Sequence, residues 1–156
     1  MTTSETRELV RAFYEARLSC DPAKIAPLID DDIEWSICGP VDALNYAGHR
    51  RGKQAVLDVI AHQSDGTFRI KDVTIEDIVV DGDNAMTRTR ISGVHGLTGR
   101  AISYQCGQLL RFRNGKLVQF RAIIDSFDAT EQVLGREIAV SNIPLNAEPA
   151  LTGPAR

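Results

Sequence analysis

The second half of the chain alternates long runs of strand-forming residues with short turn sequences. The runs are Phe68 to Val80, Ala85 to Val94, Arg100 to Phe112 and Lys116 to Ile124. They are separated by Asp81-Gly82-Asp83-Asn84, Gly96-Leu97-Thr98-Gly99 and Asn114-Gly115. Gly, Asn and Asp in such short connections are typical of hairpin turns. The pattern therefore predicts a meander of four antiparallel strands.

Helical patterns occupy most of the chain before this meander. Thr2-Thr3-Ser4-Glu5 has the spacing of a capping box, and apolar residues then recur at helical spacing. Asp21-Pro22 resembles an N-cap followed by proline in the first turn, which predicts a second, short helix. A third helix is expected after Gly52, ending at Ser64-Asp65-Gly66.

One strand is predicted between the second and third helices. Ile33, Trp35 and Ile37 alternate with polar residues, which is the period of a half-buried strand, so Trp35 is expected to point inward. The stretch from Cys38 to Arg51 shows no sustained period and is predicted to be a long ordered loop. Loops of this length often form the rim of a site.

The order of these elements predicts an α+β fold with its helices on one face of a strongly bent sheet. A bent sheet under helices leaves a pocket. A short closing helix is expected after Asp125 or Ser126. Residues 1–137 are then expected to form one domain, and residues 138–156 a tail that is loose or packed on a partner.

Composition excludes several classes of function. The net charge is −3 and the basic residues are scattered, which does not favour a nucleic-acid partner. No apolar run reaches the ~18–20 residues of a membrane span, so no membrane partner is expected. The three cysteines form no CxxC pair, which predicts neither a disulfide framework nor a zinc site. We expect a cytoplasmic protein without a metal or cofactor.

Two sequence stretches resemble a known superfamily when they are taken together with the element order. These are Tyr46-Ala47-Gly48-His49-Arg50-Arg51-Gly52 and Phe120-Arg121-Ala122-Ile123-Ile124-Asp125. Roughly residues 5 to 135 are similar to the NTF2-like superfamily, especially its SnoaL-like and ketosteroid-isomerase-like members. The resemblance implies a cone-shaped NTF2-like (cystatin-like) fold, in which a curved, mostly antiparallel sheet is packed by three N-terminal-half helices around an apolar pocket.

The resemblance also implies a homodimer formed through the outer face of the sheet. On that face Arg88, Arg90 and Ser92 alternate with Thr89 and Ile91, which are expected on the pocket side. The implied partners are therefore a second copy of the chain and a small apolar molecule.

The catalytic residues of two subfamilies are not preserved. Ketosteroid isomerases use an Asp base with a Tyr and a protonated Asp, and these places fall on Ile37, Phe13 and Gln108. Of these three, Gln108 retains the ability to donate a hydrogen bond to a carbonyl oxygen. Limonene-epoxide hydrolases use an Asp-Arg-Asp set, and their positions fall on Thr89, Ile91 and Ala122. Neither mechanism is expected here.

Asp125 is the candidate catalytic residue, because SnoaL-like cyclases use a pocket Asp near the end of the last strand as an acid-base group. An Asp directly before a helix is also a common N-cap, and that alternative stays open. The candidate substrate-binding residues are Trp35, Tyr104, Gln108, Cys106, Phe13, Thr89 and Tyr46. Trp35 can equally be plain core. His95 is expected to be a solvated turn residue.

Two functions are compatible with this sequence. The first is a SnoaL-like enzyme that isomerises, cyclises or hydrates a mostly apolar carbonyl compound, with Asp125 as the acid-base group and Tyr104 and Gln108 orienting the oxygen. The alternative is a noncatalytic module of the same fold that binds a small ligand or dimerises.

Overall fold

A computed structural model describes residues 1–65 and 68–139, without the side chains of residues 63–65. The helices are α1 (Thr3–Leu18), α2 (Pro22–Ile25), α3 (Lys53–Asp65) and α4 (Ser126–Leu134), with a single 3-10 turn at Ala26–Leu28. The strands are β1 (Ile29–Cys38), β2 (Gly48–Arg51), β3 (Phe68–Asp81), β4 (Asn84–His95), β5 (Ala101–Arg113) and β6 (Lys116–Ile124). The predicted tail lies almost wholly outside the described residues.

The strands form one sheet in the order β2-β1-β6-β5-β4-β3. Strands β3 to β6 are the predicted antiparallel meander. Strand β1 adds to the β6 edge of this meander and runs parallel to β6, with Trp35 beside Phe120. The sheet is therefore mostly antiparallel, as expected, with one parallel pair between its first and last strands in chain order.

The helix boundaries follow from their caps. Thr2 accepts the Glu5 backbone N–H while the Glu5 side chain accepts the Thr2 N–H, so the predicted capping box is present. Asp21 caps α2, and Pro22 occupies its first turn. Asp125 caps α4, which ends at the left-handed Gly135.

The predicted loop from Cys38 to Arg51 contains a strand that the sequence did not indicate. Gly48–Arg51 pairs antiparallel with β1, and Arg50 lies opposite Trp35. Four residues are too few to show a period, and this edge strand is stabilised by its partner rather than by its own composition. The prediction of a loop was wrong for these four residues.

The core lies between the helices and the inner face of the sheet. Helices α1 and α3 both contact β3, α3 also contacts β1, and α4 contacts β5. The Gln132 side chain fixes α4 by bonding both the N–H and the carbonyl of Ser103, each at 2.8 Å. No helix in the described ranges is both long enough and apolar enough to cross a membrane.

Candidate functional site

A buried cavity of about 30 Å³ lies between α1 and the inner face of the sheet. A space of about 10–15 Å³ already holds one water molecule, so this cavity has room for one or two. Aromatic and aliphatic side chains make up most of its wall. The lining residues are Phe13, Tyr14, Arg17, Trp35, Ile37, Tyr46, Ile70, Val73, Ile91, Tyr104, Cys106, Gln108, Phe120, Ala122 and Ile124.

Helix α1 supplies one wall of the cavity. Val10, Phe13, Tyr14 and Arg17 are all buried, and their spacing of three and four residues places them on one face of the helix. The last three line the cavity. Burial lowers the pKa of the Arg17 guanidinium, but an arginine stays charged at any physiological pH. The helix therefore brings a phenol and a cation to a space whose wall is mostly apolar.

Three aromatic rings form the floor of the site. Trp35 and Phe120 stack with their centroids 3.9 Å apart, which follows from the pairing of β1 with β6. Phe13 meets this pair from α1, with centroid distances of 6.2 Å to Trp35 and 5.7 Å to Phe120. Trp35 is thus both a core residue and part of the cavity wall, so a packing role and contact with a ligand are compatible for it.

Gln108 is the centre of a buried hydrogen-bond network. Its Oε1 lies 2.5 Å from the Tyr14 hydroxyl, 3.1 Å from that of Thr87 and 3.0 Å from that of Thr89. The Tyr14 and Thr87 hydroxyls are also 2.6 Å apart. This oxygen is fully engaged inside the protein, so only the amide nitrogen of Gln108 could serve a ligand.

Burial keeps the titratable groups of the cavity protonated. It raises the pKa of Tyr46 to about 12, that of Cys106 to about 12 and that of Tyr104 well above its ordinary value. The same cause raises the pKa of Tyr14. At neutral pH these tyrosines are hydrogen-bond donors, and the Cys106 thiol is a small apolar group rather than a nucleophile.

The structure places all seven predicted substrate-binding residues around this cavity. Six of them line it, and Thr89 is fully buried behind Gln108. Among the polar side chains that line the cavity or bond Gln108, three were not predicted: Tyr14, Arg17 and Thr87. The helical spacing that predicted Phe13 to face inward also places Tyr14 and Arg17 on the buried face of α1. Thr87 lies two residues before Thr89 on the same side of β4.

Asp125 lies outside the cavity. It is exposed and its Oδ1 accepts the Asp128 backbone N–H at 3.3 Å, as an N-cap does. It borders an outer depression beside Cys106 and Ile123 instead. The expectation of a pocket carboxylate at this position is corrected, because β6 ends with Ile124 pointing inward and Asp125 turning into α4.

If Asp125 acts as the cap of α4, two substitutions at this position should change the stability of the protein by different amounts. Asp125→Ala is expected to lower the free energy of unfolding by about 0.5–2 kcal/mol, since it removes the acceptor of the first turn of α4. Asp125→Asn is expected to change the free energy of unfolding by about 0.3 kcal/mol or less, because asparagine is about as good an N-cap as aspartate. Urea unfolding followed by circular dichroism measures both. Equal losses in the two variants would contradict the cap.

His95 is buried rather than solvated, which corrects the expectation for this residue. It ends β4, and its Nδ1 accepts the backbone N–H groups of Leu97 and Thr98, each at 3.3 Å. The imidazole therefore stabilises the turn between β4 and β5 by taking the place of a backbone acceptor.

No carboxylate or imidazole lines the cavity among the residues that the structure describes. Over the same residues, no group of three or more His, Cys, Asp or Glu side chains could hold a metal ion. The described wall can therefore donate hydrogen bonds and exclude water, but it supplies no strong base.

Comparison with known proteins agrees with this architecture. The family model of the SnoaL-like domain matches residues 10–120. No curated protein matches the chain in sequence.

A solved structure named "Putative Isomerase from Rhodopseudomonas palustris" is 34% identical, covers 82% of this chain and 97% of its own, and has a TM-score of 0.76. An NTF2-like protein from Burkholderia xenovorans is 22% identical, with 85% and 98% coverage and a TM-score of 0.70. An LEH-like epoxide hydrolase from M. tuberculosis is 19% identical, with 85% and 92% coverage and a TM-score of 0.69. The chain has the fold of the NTF2-like protein and belongs to the SnoaL-like domain family.

Proposed function

We propose that this protein binds a small, mostly apolar carbonyl-type compound in the cavity beneath α1. The observation that carries the proposal is the composition of the described wall. It combines stacked aromatic rings with neutral tyrosine hydroxyls and one buried arginine. Such a wall favours an apolar body that carries an oxygen acceptor.

The cavity is too small to hold a whole ligand unless the surrounding side chains move. About 30 Å³ holds a carbonyl group but not a whole ring, whereas ligand pockets usually measure ~300–1,000 Å³. Binding a larger compound therefore requires wall side chains to move. We expect the ligand to displace aromatic rings while its oxygen reaches the donors at the centre.

The binding test uses native mass spectrometry and thermal shift with a panel of steroids, terpenoid epoxides, polyketide fragments and simple cyclic ketones. Ala122→Val narrows the cavity, because Ala122 is buried in its wall, and we expect it to abolish the thermal shift. Gly107→Ala is the matched control on the next strand, since an added Cβ there has no atom within 4 Å. Equal shifts in both variants would place the ligand elsewhere.

A second candidate is isomerase activity on such a compound, which the name and 34% identity of the Rhodopseudomonas palustris protein favour. The neutral tyrosines could stabilise an enolate oxygen, but the reaction also needs a base. Asp125 is the candidate for this base, and its exposed position at the cap of α4 argues against the role.

Deuterium exchange separates the enzyme from the binding module. A ketone that binds is incubated with the protein in D₂O, and proton NMR follows loss of the hydrogen next to the carbonyl. An isomerase accelerates this exchange, and Asp125→Asn abolishes it if Asp125 is the base. A bound ketone that exchanges no faster than in buffer indicates the noncatalytic module.

The proposed homodimer has structural support on the outer face of the sheet. Val79, Met86 and Leu109 lie side by side on β3, β4 and β5, and they are 66%, 52% and 45% exposed. Arg88, which pairs with Asp77 at 2.7 Å, lies at the edge of this row. An exposed apolar row with charged flanks is typical of an interface.

Leu109→Lys is expected to weaken dimerisation at least about tenfold, because it would bury an unpaired charge between the two sheets. Size-exclusion chromatography with light scattering over a dilution series measures the change. Leu97→Lys is the control, since Leu97 is 92% exposed in the turn between β4 and β5. A wild-type protein that is monomeric at every concentration would contradict the proposal.

A further inference from the structure

Two polar groups in the cavity wall are buried without a hydrogen-bond partner among the described residues. They are Nε1 of Trp35 and the hydroxyl of Tyr46. The two residues are 2% and 4% exposed, so solvent at the surface does not reach them. A buried donor that makes no hydrogen bond costs about 1–3 kcal/mol, and native proteins rarely leave one without a reason.

The polar groups around Gln108 differ from these two. The Gln108 oxygen is engaged by three hydroxyls, and the Tyr14 hydroxyl is part of the same network. The Tyr46 and Tyr104 hydroxyls are close enough that a weak hydrogen bond between them affects the pKa of both, but its geometry falls short of that of an ordinary hydrogen bond, and the Tyr46 hydroxyl is left unsatisfied among the described residues. The hydrogen bonds to the Gln108 oxygen are thus structural, whereas the indole N–H and the Tyr46 hydroxyl lie on β1 and on the segment that follows it.

The chemistry of these donors defines what they can bind. An indole N–H can only donate, and burial keeps the Tyr46 phenol protonated. A ligand that presents only carbon satisfies neither group, and one that presents only N–H donors cannot satisfy the indole. Both suit a carbonyl, ether or oxyanion oxygen.

We propose that Trp35 Nε1 and the Tyr46 hydroxyl form the subsite that binds the ligand's oxygen atom, and so select compounds with an acceptor at that end. This inference rests on the proposed function, because it names the groups that recognise the ligand in the same cavity. It also assigns Trp35 a polar role in addition to its stacking on Phe120.

The chain contains a single tryptophan, so its indole N–H gives one resonance in a ¹⁵N-¹H spectrum. The probes are cyclohexanone and methylenecyclohexane, which have similar shape but differ in the acceptor oxygen. Cyclohexanone is expected to move the indole proton downfield as a hydrogen bond forms. Methylenecyclohexane is expected to leave it near its starting position.

Tyr46→Phe provides the second measurement. It keeps the aromatic ring, whose centroid lies 6.1 Å from that of Phe68, and removes only the hydroxyl. We expect it to weaken cyclohexanone binding about 2- to 10-fold and to leave methylenecyclohexane binding unchanged. Trp35→Phe, which keeps an aromatic ring against Phe120 but removes the N–H, is expected to have the same selective effect.

The outcomes separate this inference from the proposed function. If cyclohexanone binds, shown by shifts in the resonances of other cavity residues, while the indole signal does not move, the oxygen subsite is overturned and the proposed function stands. Equal loss of both probes in Tyr46→Phe would likewise overturn it. If neither probe perturbs any cavity residue, the inference and the proposed function both fail.

Discussion

Gly93→Ala is expected to destabilise the protein by about 3 kcal/mol or more. Gly93 is buried on β4 opposite Ile70, next to the point where the pairing register of β3 shifts. A Cβ at this position would overlap the Arg69 carbonyl oxygen and lie 2.7 Å from Phe68 Cε2. Backbone atoms of a paired strand cannot move aside as a flexible side chain does. The loss is therefore expected to appear as a lower midpoint in urea at an unchanged slope.

Gly107→Ala is the matched control for this experiment. Gly107 lies on the neighbouring strand β5, and neither glycine needs a left-handed backbone. An added Cβ at Gly107 meets no atom within 4 Å. We expect it to be neutral or to stabilise the strand by up to about 1 kcal/mol, since glycine loses more backbone entropy than alanine on folding. Similar stabilities for the two variants would show that the close approach of β3 and β4 is not maintained in solution.

The elements that the sequence predicts well are those whose signals are local. The bounds of β6 agree exactly with the run from Lys116 to Ile124, and those of β3 and β4 agree within one residue at each end. A hairpin turn such as Asn114-Gly115 is determined by its own backbone chemistry, and here Asn114 and Gly115 both adopt positive φ. Caps act equally locally, which is why α1 begins where its capping box indicates.

The parts that the sequence does not predict depend on contacts distant along the chain. β2 exists because β1 offers it a partner, and no property of Gly48–Arg51 alone indicates a strand. The comparison with ketosteroid isomerases matches their tyrosine to Phe13, which has no hydroxyl, whereas the neighbouring Tyr14 carries the hydroxyl that reaches Gln108. Adjacent helical positions differ by about 100° in direction, and a comparison by eye does not fix which one points to the far strand.

Asp125 shows why a local signal alone does not identify a catalyst. The residue satisfies an N-cap and also follows the last strand, so one sequence position is compatible with both roles. Only the direction of the side chain decides between them, and that direction is set by how β6 leads into α4. The sequence could not predict that the Trp35 and Tyr46 donors lack a partner, because whether a donor finds an acceptor depends on how the interior packs.

Phe13→Ala is expected to lower the free energy of unfolding by about 3–5 kcal/mol. Phe13 is 1% exposed and its ring contacts those of Tyr14, Trp35 and Phe120. Its removal loses this packing and enlarges the existing cavity, because Phe13 is part of the wall. Apolar cavities of this kind bind benzene, so benzene should raise the melting temperature of the variant and not that of the wild type.

Phe127→Ala separates the effect of this site from the loss of a phenyl ring in general. Phe127 is 51% exposed in the first turn of α4, and its removal is expected to change stability by about 0.5 kcal/mol or less. Benzene is expected to have no effect on this variant. A Phe13→Ala protein that is as destabilised as predicted but gains nothing from benzene would mean that the sheet and α1 collapse into the space. The ligand site would then depend on Phe13 to hold the cavity open.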